Sequence, residues 1–235
     1  MRSKIGIIGQ GNVGSALRRG LERAGHEVRA LGNDAQAVRE TAAWASVIIL
    51  AVPFSAVGAV VPELGAAADG KPLIDATNAL TPDYQLALGF TTSGAEELQK
   101  KLPGARVVKA FNTVFAKHMD TGRVNNQQLT VFAAGDDAQA RAQVLQLARD
   151  IGFDGVDAGP LKNARWLEAL AYPPTLGSFA ENWLLPSVSN VSAKMSRGPG
   201  GVQHPTDEDE ANLGIHPKHG PDRLEVGHPV DRVRL

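Results

Sequence analysis

Cysteine is absent from this 235-residue chain. That excludes disulfides, thiolate metal sites and a thiol nucleophile, and it fits a reducing cytosol. A dominant charge is absent too: the formal net charge is −1, so no global field recruits nucleic acid or an anionic membrane. No apolar run, Val47–Phe54 included, approaches the ~20 residues of a spanning helix. Met1-Arg2-Ser3-Lys4 runs straight into an apolar strand, which leaves no room for a secretory leader. These absences together lead us to expect a cytoplasmic protein with a small-molecule partner and with neither nucleic acid nor membrane. At 43% hydrophobic residues the chain can bury a sizeable core, and its length allows one or two domains.

What is present is concentrated near the start. Lys4-Ile5-Gly6-Ile7-Ile8-Gly9-Gln10-Gly11-Asn12-Val13-Gly14 reads as a strand, a glycine turn and the opening of a helix. Gly9, Gly11 and Gly14 fit G-x-G-x-x-G, the dinucleotide fingerprint. Gly9 permits the sharp turn, Gly11 lets a pyrophosphate approach the backbone, and Gly14 allows close helix packing. The helix start aims N–H groups and a positive dipole end at the phosphates. Gln10, Asn12 and Val13 share that turn and count among the cofactor contacts. The alternative is an incidental glycine-rich turn.

Along the chain, strands alternate with helices. The first helix is expected over Asn12–Ala24 with Gly25 as its C′ residue, and the second strand over Glu27–Leu31. Gly32-Asn33-Asp34 follows, where the adenosine ribose lies in this fold. Asp34 stands at the spacing of an NAD-type carboxylate, or else it caps the helix beginning at Ala35. Trp44–Pro53 reads as a doubly buried third strand, putting Ala51, Val52 and Pro53 at the ligand edge. A helix is expected over Phe54–Leu64, weakened by Pro62. Pro72–Asp75 is the fourth strand, and Asn78 beyond it either contacts the nucleotide or closes an Asx turn. Further elements are a helix Ala95–Lys101, strands Arg106–Ala110, Leu129–Ala134 and Phe153–Asp157, and helices Ala138–Asp150 and Lys162–Ala171. The alternation argues for an α/β, Rossmann-type, doubly wound and mostly parallel sheet.

After Tyr172 the character changes. Pro173-Pro174 breaks the pattern, Leu176–Leu185 is apolar, and no aromatic residue follows Ser187. The expected organisation is therefore a Rossmann domain over 1–171, a short apolar C-terminal segment over 172–186 and a disordered tail over 187–235. The tail holds His204, His216, His219 and His228, four of the six histidines. No metal site is assigned to them, because nothing there fixes a second shell.

Several stretches together resemble the F420-dependent NADP oxidoreductases, whose dinucleotide domain is also similar to the cytosolic domain of the metalloreductases. They are Lys4–Gly14, Gly25-His26-Glu27-Val28, Ala51-Val52-Pro53, Asp75-Ala76-Thr77-Asn78, Val108-Lys109-Ala110-Phe111-Asn112-Thr113 and the run Asp157–Arg165. The resemblance implies NADP (or NAD) on the glycine turn and hydride exchange with a second flat ring, F420 or flavin. It places Ala110, Phe111 and Asn112 at the floor of the nicotinamide pocket; from the residues alone Phe111 is equally plain core and Asn112 a cap. The cofactors carry such chemistry, so no catalytic acid or base is assigned. The chain departs from the family pattern at Gly32 and Asn33, where a small hydroxyl residue and Arg are usual, and after Ala171, where the family's helical segment helps build the second cofactor's pocket and a homodimer. Two other readings stay open. One is an imine or pyrroline-carboxylate reductase; the other is a nucleotide-binding redox sensor without efficient turnover.

Overall fold

The computed structural model describes residues 2–32, 34–83 and 85–171. Asn33 lies outside them, as do the apolar segment 172–186, the tail 187–235 and its histidines.

Alternating apolar runs make a seven-stranded sheet. Its first five strands are β1 (Lys4–Ile8), β2 (Glu27–Leu31), β3 (Val47–Leu50), β4 (Pro72–Asp75) and β5 (Arg106–Ala110), all paired in parallel. A two-residue hairpin, β6 (Arg123–Val124) and β7 (Gln127–Gln128), stands apart. It precedes β8 (Thr130–Gly135), which runs antiparallel to β5, and β9 (Asp154–Asp157) pairs with β8 in parallel. The reversal at β8 has a plain cause. No α-helix crosses over between Ala110 and Thr130, so the chain returns in the opposite direction. The expectation of a doubly wound, mostly parallel sheet holds, and the strand order is β2-β1-β3-β4-β5-β8-β9.

The helices cover both faces because each central strand is apolar on both sides. Ile5, Ile7, Val47, Ile49 and Val108 pack with α1 (Asn12–Arg23) and α5 (Ala138–Ile151). Ile8, Ile48, Leu50, Leu73 and Val107 face the opposite way. They pack with α2 (Ala35–Trp44), α3 (Val57–Leu64), α4 (Gly94–Lys101) and the first residue of α6 (Ala164–Leu170).

Local chemistry sets the ends. The side chains of Asp34, Ser93 and Asp137 accept from Ala37, Glu96 and Ala140 N–H groups and so cap α2, α4 and α5. Gly25 follows α1 at φ +90, as its C′ role requires. The third strand is shorter than the Trp44–Pro53 expected, because Trp44 still belongs to α2 and Leu50 is the last paired residue. The helix expected from Phe54 opens as a 3-10 turn over Phe54–Ala56 and tolerates Pro62.

Candidate functional site

The strand order reverses between β1 and β3. In open α/β sheets ligands bind outside the carboxyl ends of the strands at such a switch point. The glycine turn leaves β1 there. Gly9 has φ +118, and a Cβ on it would lie 2.2 Å from the Ala51 carbonyl oxygen. A Cβ on Gly14 would lie 1.9 Å from the Gly9 oxygen. Both positions need hydrogen so that the turn, the end of β3 and α1 can close on one another. Gly11 is different: a Cβ there would meet nothing within 4 Å. Its outer side is open, as the approach of a ligand demands. No side chain caps α1 and no acidic residue stands in its first turn, so its positive end is unopposed.

A cavity of about 540 Å³ opens at this point, a size suited to small molecules and cofactors. It is lined by Gly11, Asn12 and Val13 from the glycine turn, by Ala51, Val52 and Pro53 after β3, by Ala76, Thr77 and Asn78 after β4, and by Leu80, Thr81 and Pro82 beyond them. Seven of the fifteen residues expected to bind cofactor thus line one space: Gly11, Asn12, Val13, Ala51, Val52, Pro53 and Asn78. Gly9 and Gly14 shape the turn without lining the cavity. Gln10 ties the turn to β2 by donating from Nε2 to the Ala30 carbonyl at 2.8 Å.

The structure redistributes the remaining expectations. Asp34 is the cap of α2, its Oδ1 accepting from Ala37 N–H at 2.9 Å. Arg29 lies 4.1 Å above the Trp44 ring and Arg39 is paired with Glu63, so both nearby cations have partners. Ala110 and Phe111 turn their side chains to the core rather than to this cavity. Both are buried in the core, and the Phe111 ring meets Phe153 edge-on at 5.9 Å. Phe111 also adopts φ +67, which turns the chain sharply out of β5. Asn112 caps none of the described helices and does not line the switch-point cavity. Its amide donates to Asn78 Oδ1 at 3.3 Å and to the Leu167 carbonyl at 2.8 Å, linking the cavity edge to α6.

One group received no role from the sequence. Lys109 is fully buried on central β5, with Asp75 Oδ2 at 3.0 Å and Glu168 Oε1 at 2.9 Å. Burial works against its charge, but the two carboxylates outweigh it and hold the ammonium above its usual range. Glu168 also accepts from the Gly94 N–H at 3.0 Å, at the start of α4. A lysine amid Val-Val-Lys-Ala in a central strand was the available signal, since such a charge requires partners. Its partners, one of them on α6, are distant in sequence.

A second, mostly apolar cavity of about 630 Å³ is lined by Leu86, Gly89, Phe90, Trp166, Ala169 and Leu170, with Gln85 as its polar member. Phe90 and Trp166 are exposed, with ring centroids 6.5 Å apart. Leu80 bridges to Leu86, so the same loop borders both cavities. Among the described residues no cluster of side chains could hold a metal, and no helix is long and apolar enough to cross a membrane.

Comparison with known proteins agrees with this fold. Residues 4–79 match the family described as NADP oxidoreductase, coenzyme F420-dependent. Rat metalloreductase STEAP3 (Rattus norvegicus) is 38% identical over 102 residues, which is 43% of this chain and 20% of that protein. The chain thus spans about a fifth of the length of the curated metalloreductases it matches. A structure described as a candidate F420-dependent NADP-reductase from Arthrobacter sp. FB24 superposes with TM-score 0.69 at 29% identity, over 78% of this chain and 96% of that one. An imine reductase from Pseudomonas sp. superposes with TM-score 0.57 at 15% identity, over 83% of this chain and 74% of that one, and shows the shared fold alone. Family match, relatives and fold converge on the glycine turn read from the sequence: residues 4–79 of this chain match the F420-dependent NADP oxidoreductases, and the fold is that of Rossmann-type reductases.

Proposed function

We propose that the protein is an NAD(P)H-dependent reductase that passes hydride between a nicotinamide and a second redox ring, F420 or a flavin. The observation that carries this reading is the open Gly11 face on the switch-point cavity, bounded by glycines that cannot be replaced without a clash. Gly11, Asn12 and Val13 would hold the pyrophosphate by backbone N–H groups and the α1 dipole. Ala51–Pro53 and Thr77–Asn78 would flank the nucleotide along the carboxyl edge. When bound, the dinucleotide supplies the hydride, two electrons with one proton, and the oxidised ring accepts it. The protein supplies position and dryness, so no side chain is required as acid or base. The exposed Phe90–Trp166 pair beside the cavity offers a flat acceptor an apolar surface. The acceptor decides between readings. Oxidation of NADPH or NADH by FMN, FAD or F420 under anaerobic conditions supports this one. Oxidation by a cyclic imine alone supports the imine-reductase reading, and tight binding with no turnover supports a sensor.

Nucleotide choice turns on the end of β2. Asp34 is engaged as a cap, and Arg29 and Arg39 are engaged elsewhere. Asn33→Arg supplies a guanidinium that can grip a 2′-phosphate in two-pronged fashion, and it is expected to raise the NADPH-to-NADH affinity ratio about tenfold. An unchanged ratio in calorimetry would contradict this account of the strand end.

A further inference from the structure

Three groups satisfy the buried Lys109 ammonium. Besides Asp75 and Glu168 it donates to the Thr77 carbonyl at 2.7 Å. Thr77 is also held from its other end, its N–H donating to Asp75 Oδ1 at 2.9 Å. The Thr77–Asn78 peptide is trans, so drawing the Thr77 carbonyl inward turns the Asn78 N–H to the opposite side. No partner meets that N–H among the described residues, although Asn78 lines the switch-point cavity. The Asn78 side chain is fixed separately, its Oδ1 accepting from Asn112. A buried cation therefore orients a backbone donor at the wall of the site, and an asparagine pair orients the side chain beside it.

We propose that Lys109 is a positioning residue for the nicotinamide ring of the dinucleotide, acting through the Asn78 N–H on the oxygen of the ring's carboxamide. The assignment rests on the dinucleotide reading above. It also gives a function to the cluster that ties β4, β5, α4 and α6 together. Glu168, the α6 member, secures Lys109 and the start of α4 at once.

The test compares two ligands by calorimetry: NADPH, and 2′-phospho-ADP-ribose, the same molecule without its nicotinamide ring. Lys109→Met is expected to weaken NADPH about tenfold, the loss of one oriented hydrogen bond, with 2′-phospho-ADP-ribose affinity kept. Asn112→Ala is expected to give a smaller loss with the same selectivity. If Lys109→Met alone does not fold, the measurement passes to Lys109→Met combined with Asp75→Asn and Glu168→Gln. That variant keeps the shapes and leaves no unpaired charge. Equal weakening of both ligands, no weakening of either, or failure of the neutralised variant to fold would overturn the positioning role and leave Lys109 a purely structural residue. If the unmodified protein prefers NADH, the same comparison is made with NADH and ADP-ribose; failure to bind any of the four ligands would instead overturn the dinucleotide reading itself.

Discussion

Gly11→Val is expected to leave the protein folded and to abolish dinucleotide binding. The separation of the two effects is what makes the variant informative. Gly11 has φ −69 and ψ −168, extended backbone that valine adopts freely, and a Cβ there meets no atom within 4 Å. Thermal stability should therefore stay close to that of the parent. The valine side chain would fill the space through which a pyrophosphate reaches the first N–H groups of α1. Losing two charge-assisted hydrogen bonds at about 1.5–3 kcal/mol each lowers affinity a hundredfold or more. Gly9 and Gly14 cannot serve the same purpose, because Cβ atoms on them would strike backbone oxygens and disturb the fold. Calorimetry with NADPH checks the first expectation and a melting curve the second. Undiminished affinity would mean that the pyrophosphate does not sit on this turn.

Lys109→Met should cost the fold more than any surface change. The variant leaves Asp75 and Glu168 facing each other in a buried space without their cation, and breaking a buried ion cluster in this way costs about 3–5 kcal/mol. That is a large share of the ~5–15 kcal/mol by which domains are stable. Neutralising the two carboxylates as well, with Asp75→Asn and Glu168→Gln, should recover most of the loss, because the penalty comes from unpaired charge rather than lost packing. Denaturant unfolding of the single and triple variants measures both numbers. A single variant as stable as the parent would show that the cluster carries little of the fold's stability.

The two variants divide the site as the sequence divided it. Local rules read the glycine turn and the strand edges at Ala51–Pro53 and Asn78, and they offered the cap at Asp34 as one of two readings, since each depends on residues within one turn or strand. The β2 and β5 boundaries follow from short segments, Glu27–Leu31 and Arg106–Ala110, closed by Gly32 and by the turn at Phe111. What the sequence did not show depends on long-range contacts. The antiparallel β8 arises from a helix-free connection whose direction no local pattern encodes. From the residues alone Phe111 is pocket or core alike, and Phe153, more than 40 positions away, claims its ring for the core. Lys109 acquires its meaning only when α6 brings Glu168 against it.

The most direct measurement is a titration of the purified protein with NADPH and with NADH, followed by nicotinamide fluorescence and repeated with Gly11→Val. The account predicts saturable binding of at least one dinucleotide to the parent and none to the variant. Binding that survives unchanged in the variant, or no binding to the parent at all, would contradict it.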